Sequence, residues 1–124
     1  MRNLLAAVAA EMPSWAYYDR APRDAAAPYA VYTVDTANIE DTGSLLHSVQ
    51  ITVDCYARDS DTSAASQLTD MASTLDAVFV RAHLSTATGS SSLLVLGERQ
   101  TFRDPADDGV SVRRSVYTTT WSTI

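Results

Sequence analysis

The feature that most constrains this chain is a stretch of strict alternation that runs straight into a helical stripe. From Leu45 to Cys55 the apolar residues Leu45, Val49, Ile51, Val53 and Cys55 hold odd positions, with the polar Ser48, Gln50, Thr52 and Asp54 between them. A period of two marks a strand with one face on a core and the other toward water or a partner. After Arg58-Asp59-Ser60-Asp61, apolar residues recur at Ala64, Leu68, Met71, Ala72, Leu75, Val78, Phe79 and Ala82, the spacing of a helix that buries one side. Asp61, Thr62 or Ser63 is placed to cap its first turn, because a side-chain oxygen there accepts from an unpaired amide. At ~1.5 Å per residue such a helix spans roughly 30 Å, enough to cover one face of a small sheet.

The remaining elements arrange themselves around this unit. Leu4, Leu5, Val8 and Met12 fall at helical spacing and Pro13 ends them, which reads as a short amphipathic helix rather than a secretory signal. Ser14 to Asp19 reads as a short strand or edge segment, and Arg20 to Pro28 as irregular linker. Pro28 to Thr36 is rich in β-branched and aromatic residues and predicts a strand, with either Tyr29/Val31/Thr33 or Ala30/Tyr32/Val34 facing the core. An acidic connection, Asp35 to Gly43, leads into the alternating strand. Beyond the long helix, Ser85 to Ser92 is a Ser/Thr/Gly-rich loop expected to be mobile and exposed. Leu93 to Phe102 predicts a third strand with Gly97 as a bulge, Asp104 to Gly109 a turn, and Val110 to Ile124 a long fourth strand. The expected fold is a single α+β domain over 1–124, in the order helix-strand-strand-helix-strand-strand. Its largely antiparallel four-stranded sheet would carry two helices packed on one face.

Composition narrows the function. At 124 residues, 46% hydrophobic and 19% charged, the chain can bury a core without metal or disulfide. Fifteen carboxylates oppose nine arginines and no lysine, a net charge of -6. That balance argues against binding nucleic acid or an anionic membrane, since both need many phosphate-neutralising cations. No apolar run approaches the ~20 residues of a membrane span.

Chemistry-bearing motifs are scarce. His47 and His83 are too few and badly spaced for a metal site, and Cys55, the only cysteine, continues an apolar strand face where a thiol is usually inert. There is no nucleophile elbow and no Gly-rich phosphate loop, so no catalytic, cofactor or metal set is assigned. Asp104, Asp107 and Asp108 lack the spacing of a cation loop. Trp15, Tyr17 and Tyr18 offer either a small-molecule platform beside a carboxylate or, more in keeping with their density, an anchor for the linker on the core. Arg113-Arg114 is the only adjacent basic pair. In strict alternation Arg114 falls in line with Val110, Val112 and Val116, so either a bulge turns it outward or it lies at the sheet margin against a carboxylate.

In its layout the chain resembles the phage tail terminator family, the small tail-completion proteins of long-tailed bacteriophages. The features that carry the resemblance are the short N-terminal helix, the strand start Pro28-Tyr29-Ala30-Val31-Tyr32, the strand Val49 to Ala57, the alanine-rich helix from Ser63 to Ala82, and the Asp107-Asp108-Gly109 turn into a closing strand. The resemblance implies a non-enzymatic virion protein, assembled in the host cytoplasm, forming a ring, as a homohexamer, on the head-proximal end of the tail tube. There it would stop tube polymerisation and form the head–tail joining surface. Its partners would be copies of itself, the tail tube protein and a head–tail connector protein, with DNA passing through the channel without specific binding and no membrane involved. An acidic ring suits a channel that should repel phosphate. The alternatives are another neck or head-completion connector protein, and a small-molecule-binding or enzymatic α+β domain. Within such a ring, Arg113 and Arg114 of one subunit are the candidates to meet Glu40 and Asp41 of the next.

Overall fold

A computed structural model describes residues 2–23, 25–39, 46–60, 63–86 and 89–123. In chain order they form α1 (Arg2–Glu11), β1 (Ala16–Tyr18), β2 (Tyr29–Asn38), β3 (Leu46–Arg58), α2 (Ala64–Phe79), β4 (Ser85–Thr86), β5 (Gly89–Ser91), β6 (Val95–Asp104) and β7 (Asp107–Thr123). The four-stranded sheet expected from the pattern is incorrect: the chain is mostly strand, and seven strands form one mixed sheet curled into a half-barrel. Its order is β1-β2-β3-β7-β5-β4, and β6 pairs with β7 on the same side as β5.

Two physical causes account for the three extra strands. The segment after Pro13 runs parallel to β2, with Ala16, Tyr17 and Tyr18 opposite Ala30, Val31 and Tyr32, so the aromatic stretch caps part of an edge. The Ser-rich segment expected to be a mobile loop instead docks β5 against the end of β7. Gly89 makes this possible: a Cβ there would lie 2.6 Å from Cζ2 of Trp121, so only glycine lets the backbone approach the indole. The Leu84 amide then donates to the Ser91 hydroxyl at 2.8 Å, which satisfies a nearly buried polar side chain.

The alternation from Val49 to Ala57 appears as burial of every second residue, Val49, Ile51, Val53, Cys55 and Ala57. Antiparallel pairing puts opposed residues on the same face. Ala30, Tyr32 and Val34 of β2 therefore join that face from one side, and Ser115, Tyr117 and Trp121 of β7 from the other. Leu68, Met71, Leu75 and Phe79 of α2, with Leu4 and Val8 of α1, cover it. The long helix is shorter than its apolar stripe, because Val80 is extended and Arg81 takes φ 65°, a left-handed conformation that stops propagation. Ser63 is its N-cap residue, but its hydroxyl accepts from the Gln67 side chain at 3.2 Å rather than from a first-turn amide. Asp61 and Thr62 lie outside the described residues.

Candidate assembly surface

The two candidate arginines sit in the middle of the sheet. β3 and β7 pair without interruption from Leu46–Ser122 to Arg58–Val110, which places Arg114 directly opposite Asp54. Arg114 donates from Nε and an Nη to the two Asp54 carboxylate oxygens at 2.7 and 3.0 Å, a two-pronged charge-assisted contact. Its guanidinium also lies 5.2 Å from the Phe102 ring centroid. Hydrogen bonding to Asp54 outweighs burial and strengthens the proton affinity of an already permanent cation. The apolar parity of Arg114 is thus resolved by a carboxylate partner at the sheet centre. The register shifts fall instead on β6, one between Leu96 and Glu98, at the expected Gly97 bulge, and one between Arg103 and Asp104.

Arg113 points to the helix side. It donates to the Thr101 hydroxyl at 3.1 Å and to the Thr69 hydroxyl of α2 at 3.1 Å, and among the described residues it meets no carboxylate. Glu40 and Asp41 lie outside the described residues.

A second clamp was not legible as a motif. Arg99 of β6 bonds both carboxylate oxygens of Asp76 on α2, at 3.0 and 2.5 Å, and the Ser115 hydroxyl at 2.9 Å. The Tyr117 hydroxyl donates to Asp76 at 2.6 Å. Burial works to raise the Asp76 pKa, but these hydrogen bonds and the Arg99 charge win and lower it. Burial, then the bond to Asp76, drives the Tyr117 pKa up. The signal that announces this set is the pairing of β6 with β7, which puts Arg99 opposite Ser115.

The aromatic residues near the N-terminus form no shared platform. Trp15 packs against the core, Tyr17 meets Tyr29 edge-on at 6.4 Å, and Tyr18 meets Tyr32 at 5.5 Å. On the face away from the helices, Tyr29 stacks on Tyr56 at 5.1 Å and floors a cleft of about 390 Å³ under the 19–25 segment. That cleft carries Arg20 and Arg23 beside Asp19 and Asp104, both signs of charge, and among the described residues no histidine, cysteine or serine lines it. Among the described residues no three His, Cys, Asp or Glu side chains gather closely enough to hold a metal ion.

The sheet edges are the surfaces left open. Among the described residues β6 pairs only with β7, and β1 covers β2 only at Ala30 to Tyr32. The large apolar side chains left exposed divide between these edges: Tyr18 and Ile39 lie at the β1–β2 side, while Leu93, Val95 and Leu96 lie at the start of β6. Val80 joins the second group, because the Arg81 amide bonds the Leu94 carbonyl at 2.8 Å. Val95 is 52% exposed, unusual for a valine in a strand.

Open sheet edges that carry exposed apolar side chains are surfaces suited to meeting a partner. The chain belongs to the family described as Tail completion protein gp17, whose family model matches residues 2–119. It is accordingly a structural protein of the virion tail. Its fold is also similar to that of a chain in the virion of a native gene transfer agent (GTA) particle. That likeness has a TM-score of 0.69 at 17% identity and covers 98% of this chain and 90% of that one. A search of curated proteins finds no match.

Proposed function

We propose that copies of this chain form a closed ring of six on the head-proximal end of the tail tube, where the ring ends tube growth and offers the surface that the filled head meets. Its partners are the tail tube protein on one side and a head–tail connector protein on the other. The action is steric and adhesive, with no bond made or broken, and DNA passes through the channel without specific contacts. The observation that carries this reading is the tail-completion family match, which spans nearly the whole domain. The net charge of -6 accords with a channel that does not grip phosphate.

Within the ring, Arg113 and Arg114 facing Glu40 and Asp41 of the neighbouring subunit is the proposed charge contact. Arg113 is the better placed of the two, since Asp54 already occupies Arg114. Native mass measurement of the purified chain, alone and with purified tail tubes, tests the reading. A six-fold mass and arrest of tube growth are expected. A chain that stays monomeric in both conditions contradicts it, and a ring that binds portal proteins but no tube end makes the chain a head-completion protein instead.

A further inference from the structure

We propose that the subunits of this ring join edge to edge, the outer edge of β6 in one copy pairing with the outer edge of β2 in the next, so that successive sheets run into one another. The proposal deepens the ring reading and rests on it. A head-to-tail contact needs two different surfaces on the same chain, and rotation then closes the contact into a ring. The sheet supplies two. Beyond β1, the stretch of β2 from Thr33 to Asn38 has no strand on its outer side among the described residues, and neither does β6 along its length.

The direction of the strands fits as well. β2–β3, β3–β7 and β7–β6 are all antiparallel, so β2 and β6 point in opposite directions across the sheet. A second copy laid alongside with the same face up brings its β2 antiparallel to β6, and the alternation continues across the junction. That sense of overlap carries the start of β6, with Val95 and Leu96, toward the end of β2, where Ile39 stands. The exposed apolar residues of the two edges are thereby brought to the same place. Exposed edges are ordinarily guarded by charged side chains, bulges, proline or short length. β6 runs ten residues without proline, its Arg99 is turned onto Asp76, and its bulge at Gly97 and exposed Glu98 and Arg103 all lie beyond Val95 and Leu96, which leaves the apolar start of the strand open.

Two variants of the full chain test this. Val95→Lys with Leu96→Lys places charges on one edge, at side chains already exposed. It should lower the ring population at least tenfold while the circular dichroism spectrum and melting profile match the wild type. In a second protein, Val95→Cys with Ile39→Cys should give a ladder of disulfide-linked oligomers on oxidation. Either single cysteine should stop at dimers, and a control pair at the exposed helix positions Ala65 and Ala77 should give no ladder. Wild-type rings together with an unaffected lysine variant, or the absence of a ladder from the cysteine pair, overturn the edge pairing alone. A lysine variant that forms rings normally but fails to enter the particle also overturns it and assigns β6 to a different tail protein. A wild-type chain that is monomeric in solution and in the particle overturns the ring and the edge pairing together.

Discussion

On the helix side of β7, Ser115, Tyr117 and Trp121 are buried beneath α1 and α2, and the Arg99–Asp76 clamp sits at the rim of that core. On the opposite side of the same strand, Val112 and Val116 are also buried, outside the cluster that α1 and α2 cover among the described residues, and the Arg114–Asp54 pair stands between. The first face is closed by apolar area and uses charge to fasten β6 and β7 to α2, through Arg99–Asp76 and Arg113–Thr69. The second is closed by rows of side chains on neighbouring strands, with Phe102 and Tyr56 flanking Val112. Arg114, in line with Val112 and Val116 yet partly exposed, is accommodated there by the Asp54 carboxylate directly opposite it.

The comparison breaks most directly where the apolar side is cut. Phe79→Ala removes a side chain with no exposed surface that packs on Tyr117 at 5.4 Å, and should cost about 3–5 kcal/mol in urea unfolding. A cost near 1 kcal/mol would show that α2 contributes little to the core. On the other face, Arg114→Ala leaves Asp54 without its cation and should cost about 2 kcal/mol. Arg114→Met combined with Asp54→Leu should recover most of that loss, because a partly buried pair flanked by Val112, Val116 and Phe102 is replaceable by apolar residues of similar volume. If the double variant is worse than the single one, this face is not core-like.

Cys55→Ser sharpens the contrast at smaller scale, with an expected cost on the order of 1–3 kcal/mol from burying a hydroxyl. The native thiol should label slowly without denaturant. Burial first, and the nearby Asp54 charge second, push its pKa up to about 12. Fast stoichiometric labelling would contradict that burial.

The smallest effect concerns pH. The folded pKa of Asp76 is lowered, so the stability it contributes is present above the ordinary carboxylate value of about 4 and is lost as pH falls through its lower folded value. Asp76→Asn should therefore flatten the acid limb of the stability profile, measured by urea unfolding from pH 7 downward. An unchanged acid limb would remove Asp76 from the clamp's pH dependence.

Much of the helix-covered face was legible in the chain because it obeys simple periods. The alternation from Val49 to Ala57, the stripe from Leu68 to Phe79 and the bulge at Gly97 all depend on local pattern. What was not legible depends on pairing between distant segments. The short edge strand read between Ser14 and Asp19 is present as β1, but nothing in Ala16-Tyr17-Tyr18 announces that it runs parallel to β2, and nothing in Gly89-Ser90-Ser91 reveals that the Trp121 indole fixes it in place. A carboxylate partner for Arg114 was legible from its parity, but not which one or where: Asp54 is 60 residues away, and only the β3–β7 register makes them neighbours in the middle of the sheet. The candidate pair Arg113 and Arg114 stood out by composition, while Arg99 did not, although Arg99 makes the more extended set of bonds.

The central claim is that this chain completes the tail, and removing its gene from the phage tests that most directly. Electron microscopy of the resulting lysate should show full heads without tails and free tail tubes of uncontrolled length, with wild-type particles restored when the chain is supplied from a plasmid. Tails of normal, uniform length joined to filled heads in the deletion would contradict the account.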